Sequence, residues 1–160
     1  MAARSHPASL KSATRYQDDL YGWVQEQVAL LRDGCLAGID AENVAEELSD
    51  VAWLQKDRLE EAITVLTHHL LKWDRRPKRR TRSWGLKIRS QRRAISRLLA
   101  RNPGLQPHLS AAIEIGYGYG RRRALGDLDL PDGALPEICP YSFDEMMGRE
   151  IAVETVRRRR

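Results

Sequence analysis

Residues 40–101 read DAENVAEELSDVAWLQKDRLEEAITVLTHHLLKWDRRPKRRTRSWGLKIRSQRRAISRLLAR, and most of the architecture follows from them. Asp40 suits a helix N-cap, because its carboxylate can accept from the free amides of Glu42 or Asn43. No Gly or Pro then interrupts the chain until Pro77. Val44, Leu48, Val51, Leu59, Ala62, Leu66, Leu70 and Trp73 follow at three, four or twice four residues, the spacing of one helical face. The gap in this stripe falls at Gln55, inside the polar run Gln55-Lys56-Asp57-Arg58. A helix over 41–73 would be about 50 Å long. A compact domain of this length has a radius of gyration of only about 15 Å. Such a helix is expected to project beyond its globule or meet a second chain rather than kink, since the usual causes of a kink are missing.

Pro77 ends this helix and disfavours α geometry at Arg76. Thr81 or Ser83 can cap the next one, which carries Trp84, Ile88, Ile95, Leu98 and Leu99 on one stripe and stops before Pro103. So short a joint makes the two helices antiparallel neighbours. Their charges differ in sign. From Asp40 to Glu61 there are eight acids and two bases, and from Lys72 to Arg101 thirteen bases and one acid, Asp74. The two blocks are expected to neutralise each other in a self-complementary hairpin.

Outward from the hairpin, Tyr16 to Arg32 has a helical stripe at Leu20, Trp23 (or Val24), Gln27 or Val28, and Leu31, with Asp18 and Asp19 in the first turn and Gly34 as the stop. Beyond Asn102-Pro103-Gly104, the segment Leu105–Leu125 is helical by content, with Leu109, Ile113, Tyr117 and Leu125 on one side. Gly116, Gly118 and Gly120 weaken it by about 1 kcal/mol each relative to Ala. They form no phosphate loop, having neither a preceding strand nor a following Lys-Ser or Lys-Thr. A neighbour approaching that helix closely is the expected reason for them. Residues 126–139 read as an extended crossing loop, and Ser142-Phe143-Asp144-Glu145 as a capping box opening a short helix.

The fold class is therefore all-α, a bundle of four to five helices around the long antiparallel pair 41–73 and 84–101. One helical domain is expected over 15–148, between a flexible segment 1–14 and a basic tail 149–160. The 160-residue length suits one core, and the net charge of +5 is concentrated locally. No apolar run reaches the ~20 residues of a membrane span. Cys35 and Cys139 have no CxxC spacing and suit reduced thiols in the cytoplasm.

Three constellations could carry function. Asn43, Glu46, Glu47 and Asp50 share one helix face after Asp40, and Arg89, Arg92 and Arg93 have similar spacing on the basic helix. With His69 and Lys72 these residues form a candidate polar network. His68 and His69 both lack the Glu three residues earlier that a di-metal bundle uses, so no metal or cofactor is assigned. An enzyme would need Glu46, Glu47 and His69 to converge as acid/base or metal-binding groups. Finally, Arg75, Arg76, Lys78, Arg79, Arg80 and Arg82 lie between Trp73 and Trp84, a mixture of cations and aromatics that can hold nucleic acid. Both Trp fall on stripe positions, which favours the core instead.

The motifs Tyr16-x-Asp18-x-Leu20-Tyr21-x-Trp23, Asp40-x-x-Asn43-x-x-Glu46-Glu47, His69-Leu70-Leu71-Lys72-Trp73, Ser83-Trp84, Gln91-Arg92-Arg93 and Pro136-Glu137-x-Cys139-Pro140 carry a resemblance. In their order and spacing the chain resembles the bacterial family called domain of unknown function twenty-nine, from about Tyr16 to Tyr141. The resemblance implies an all-helical fold and carries over no activity, cofactor or catalytic residue. The Gly116–Gly120 run departs from the charged helix usual there, while Tyr117 and Arg121 match. The sequence thus favours a non-enzymatic cytoplasmic interaction module, binding a protein partner or a second copy of itself. Nucleic-acid binding through 72–101 is the alternative.

Overall fold

Asp19 opens the first helix, α1 (Leu20–Arg32), by accepting the Gly22 amide at 2.9 Å. A Cβ at residue 22 would lie 2.3 Å from that carboxylate, so the cap works because Gly22 is bare. Both aspartates therefore precede the helix rather than filling its first turn. Gly34, at φ 70°, ends α1: its amide reaches the Leu31 carbonyl, and the Cys35 amide reaches that of Leu30. This is the paired closure that a left-handed residue makes possible. The computed structural model describes residues 15–152. The expected flexible segment 1–14 and tail residues 153–160 lie outside the described residues.

The other helices are α2 (Ala41–Arg75), α3 (Arg82–Arg101), α4 (Leu109–Leu128) and α5 (Phe143–Gly148), joined by short 3-10 turns. The class is all-α, with no strand among the described residues. The chain divides into two compact units, one ending at Trp53 and one beginning at Leu54. α2 is one unbroken helix of 35 residues through that boundary, with no interruption at Gln55. Asp40 caps it through the Asn43 amide.

In the first unit Trp23 is the buried aromatic. Tyr16 packs edge-on to it, with ring centroids 4.8 Å apart. The second unit holds the larger core. Leu59, Ile63, Leu66, Leu70 and Trp73 of α2 cluster with Ile88, Ile95 and Leu99 of α3, Ala112 of α4, Met146 of α5 and Ile151. Each fully buried Leu or Ile stabilises the fold by roughly 1.5–3 kcal/mol. Packed chain extends to Ile151, three residues past the expected end of the domain at 148.

α4 meets α2 along small residues. Ala112, Gly116, Gly120 and Ala124 are buried, one every fourth position. A Cβ at Gly116 would lie 2.9 Å from the Glu60 carbonyl oxygen, and one at Gly120 2.7 Å from that of Thr64. Gly118 has nothing within 4 Å of where its Cβ would be. Two of the three glycines thus serve the close approach expected of them. Thr64 and Thr67 are buried there, with hydroxyls donating back to the Glu60 and Ile63 carbonyls. α4 ends at Asp129, a non-glycine at φ 50°.

The crossing loop is tied to α4 by Tyr117, whose hydroxyl donates to the Pro136 carbonyl at 2.6 Å, and by Arg121, which donates to the Leu135 and Asp132 carbonyls. Beyond the loop, the expected capping box opens α5, with Ser142 and Glu145 bonding reciprocally. The Tyr141 hydroxyl and the Arg149 guanidinium both donate to Asp74, at 2.7 and 3.0 Å. Burial, reinforced by the bond to Asp74, holds the Tyr141 phenol well above its usual range.

Candidate functional site

The acidic head lies in the first unit, where Asp40, Asn43 and Glu47 hold hydrogen-bond partners. The Asp40 carboxylate accepts from the Asn43 side-chain amide at 2.7 Å and from the Trp23 indole at 3.3 Å. The Asn43 bond is the main reason its carboxyl lies below the ordinary carboxylate range. Its own backbone amide donates to Gln27 at 2.9 Å. Glu47 accepts the Tyr16 hydroxyl at 2.6 Å. That bond, with partial desolvation and the charges of Glu47, Glu46 and Asp50, pushes the Tyr16 phenol up to about 12. Glu46 and Asp50 are exposed. Of the predicted acidic face, the structure therefore brings Asp40, Asn43 and Glu47 together with α1 and the residues just before it. Gln27 was read from sequence only as a stripe position, and a polar residue on an apolar stripe was the available signal.

The second unit gathers His68, Lys72 and Asp127. The Lys72 ammonium donates to Asp127, and His68 Nε2 lies 3.0 Å from the same carboxylate oxygen. Lys72 also sits 4.7 Å above the Trp84 ring. The Lys72 bond holds the Asp127 carboxyl below its usual range, with His68 contributing. Burial, then the neighbouring His69, lowers the His68 pKa despite Asp127. His69 is lowered mainly by burial as well, and its Nδ1 meets the Val65 carbonyl at 2.8 Å. So His68, not His69, engages a carboxylate, and Asp127 is the partner that sequence reasoning missed. Glu47 and His69, two of the three groups of the enzymatic reading, each already hold a local partner. Among the described residues no three His, Cys, Asp or Glu side chains gather as metal ligands.

The arginines of α3 were expected opposite the acidic head. Arg92 instead donates to the carbonyls of Met146 and Arg149, both at 2.7 Å. These acceptors lie at the end of α5, where helical carbonyls lack intrahelical partners and a cation is favoured. Arg89 reaches the Ile151 carbonyl at 3.4 Å. Burial and the charges of Arg149 and Arg89 lower the Arg92 pKa. Arg93 is exposed and lines a groove of about 570 Å³ with Arg92, Ser96, Arg97 and Met147. A second groove, about 550 Å³, is lined by Arg82, Ser83, Leu86, Lys87 and Ser90.

The basic joint is divided in its roles. Arg76 donates to the Leu128 carbonyl, and Arg80 donates to the Trp73 carbonyl while lying 4.9 Å over the Trp73 ring. Arg75, Lys78, Arg79 and Arg82 are exposed. Trp73 is buried, and Trp84 lies partly buried beneath Lys72, in keeping with their stripe positions rather than with a pair of stacking platforms.

No curated protein and no solved structure matches the chain. One family pattern spans residues 15–151, from the Tyr16–Trp23–Asp40–Glu47 cluster through the Lys72–Asp127 pair to buried Ile151, and the chain belongs to that family, described as Domain of unknown function DUF29.

Proposed function

We propose that this chain is a helical protein-interaction module that docks through its first unit. The observation carrying this reading is apolar exposure. Leu20, Tyr21, Leu31, Leu36, Leu48, Val51 and Trp53 are all exposed, whereas Trp23 is buried. Single exposed apolar residues are ordinary, and it is their concentration in one unit that supports an interaction surface. No helix among the described residues is long and apolar enough to cross a membrane. The reading includes a bacterial cytoplasm, in keeping with the two free thiols of Cys35 and Cys139.

The test is affinity capture from the native cell with the full chain, set beside a Leu48→Glu/Val51→Glu variant. A protein retained by the wild type and lost from the variant is expected. Identical retention by both defeats the assignment of this surface.

Nucleic-acid binding is the second reading, supported by the exposed cations Lys78, Arg79, Arg82, Lys87, Arg93 and Arg97. Phosphate contacts predict affinity for single strands and duplexes that falls steeply with salt. Filter binding across a salt series checks it, and salt-independent or absent binding removes it.

A further inference from the structure

α3 holds seven cations and no acid, so none of them meets an opposite charge one turn away on its own helix. Arg92, Arg93, Ser96 and Arg97 fall at i, i+1, i+4 and i+5, two adjoining rows of one face. With Met147 of α5 they line the groove of about 570 Å³, a volume within the range of small-molecule sites. Its described lining has three guanidiniums and no carboxylate. Arg92 forms an anchored wall. Its Nε and Nη1 are fixed on the Met146 and Arg149 carbonyls, while its Nη2 is buried without a hydrogen-bond partner. The exposed Arg93 guanidinium and Ser96 hydroxyl donate to no described residue, and Arg97 donates only to the Arg93 carbonyl, at 3.3 Å. Met147 packs against the core cluster, so the apolar side of the groove is held as well. Burial, then the charges of Arg149 and Arg89, lower the Arg92 pKa, and an anion in the groove offsets that crowding of cations.

We propose that this groove binds the terminal phosphate monoester of a small organic molecule, gripping the phosphate with Arg92, Arg93, Ser96 and Arg97 and laying the organic part against Met147. The site lies wholly in the second unit and does not depend on docking by the first. The donor set selects the class of ligand. A phosphomonoester brings about −1.5 to −2 of charge at neutral pH and three strong acceptor oxygens. Guanidinium forks match phosphate oxygens in pairs, so several of them can share one such group. A carboxylate offers a single charge and two oxygens, enough for one fork. A phosphodiester, the repeating group of nucleic acids, likewise offers a single charge and two free oxygens, and leaves donors of this set unused. Met147 gives the site a preference for an ester over the bare ion, because an apolar substituent is covered there.

The experiment is isothermal titration calorimetry on the full chain with four probes: phenyl phosphate, inorganic phosphate, diphenyl phosphate and benzoate. Two variants each remove two cations of α3. Arg93→Gln/Arg97→Gln strips the proposed groove, and Arg82→Gln/Lys87→Gln strips the other groove on the same helix. All four positions are exposed, and circular dichroism checks that both variants fold. Phenyl phosphate is expected to bind the wild type with a Kd below about 1 mM, and more tightly than the other three probes. Loss of charge-assisted hydrogen bonds in Arg93→Gln/Arg97→Gln is expected to weaken that Kd by about tenfold or more. Arg82→Gln/Lys87→Gln is expected to change it by less than about twofold, since only screened charge is lost. Sedimentation with phosphatidylcholine vesicles, with and without phosphatidic acid, identifies the source of the ester. Retention only with phosphatidic acid assigns a lipid headgroup, and no retention assigns a soluble phosphate ester. Absence of phenyl phosphate binding overturns the proposal. So do equal losses in the two variants, which would show diffuse charge rather than a site, or diphenyl phosphate or benzoate binding as tightly as phenyl phosphate.

Discussion

The two parts of α2 carry the same periodic apolar pattern and meet opposite fates. Leu59 and Leu66 are 0 % and 1 % exposed, whereas Leu48 and Val51 are 65 % and 57 % exposed. Helical propensity, spacing and capping do not distinguish them. What differs is the cover: α3, α4 and α5 pack on the later part, whose cluster they complete. Periodicity therefore identifies a face, and only the rest of the fold identifies what lies against it.

Mutation should break this symmetry of pattern. The largest effect is expected from Leu66→Ala, which leaves a cavity in a sealed core and should cost about 2–5 kcal/mol. Leu48→Ala should change monomer stability by no more than about 0.5 kcal/mol. Urea unfolding measures both, and similar losses would refute the contrast.

Gly120→Ala comes next. The added methyl meets backbone that cannot rotate away, so α4 must shift, at about 1–3 kcal/mol. Gly118→Ala meets nothing and should stabilise by roughly 0.5–1 kcal/mol through its helix propensity. The pair separates the packing glycine from the incidental one in a single set of melts.

The Asp127 carboxyl is held below its ordinary range by Lys72, and His68 is held below its ordinary value mainly by burial. Both folded pKa values are depressed. The His68 contribution is complete above its unfolded value of about 6.5 and erodes as pH falls through the folded one. The Asp127 contribution persists to lower pH and erodes below about 3.9. Asp127→Asn should flatten the lower part of this acid limb, and at neutral pH should cost no more than about 1 kcal/mol, because the half-exposed carboxylate is screened by solvent. Stability curves from pH 2 to 8 measure both effects; an unchanged acid limb would show the pair to be incidental.

The smallest expected change is Asp129→Gly, a gain of up to about 1 kcal/mol by relieving a left-handed backbone at the end of α4. Thermal melts resolve it.

Much of the fold was legible because its signals are local. The Asp40 cap, the Pro77 break, the Gly34 stop and the Ser142 box each need only a few neighbouring residues. Asp127 was not legible, because it meets Lys72 from 55 residues away and nothing near it in sequence announces that partner. Arg92 was misjudged for a related reason. Charge counting sees acids as its partners but not the carbonyls at the end of α5. The start of α1 was placed too early because Asp18 and Asp19 suit a cap and a first turn equally well. The small-residue ridge on α4 was half seen, since Gly116 and Gly120 stood out but Ala112 and Ala124 at the same four-residue spacing did not.

Met146 and Ile151 share a cluster with Leu59, Ile88 and Ile95. During synthesis α2, α3 and α4 leave the ribosome before those two side chains exist outside it. At about 5–20 residues per second, the interval between the end of α4 and the arrival of Ile151 is on the order of 1–5 s. For that time the apolar seam of the nascent chain faces solvent, a substrate for chaperones and proteases that the finished molecule no longer offers. The clasp of Tyr141 and Arg149 on Asp74 can thus form only after α2, α3 and α4 have all been made.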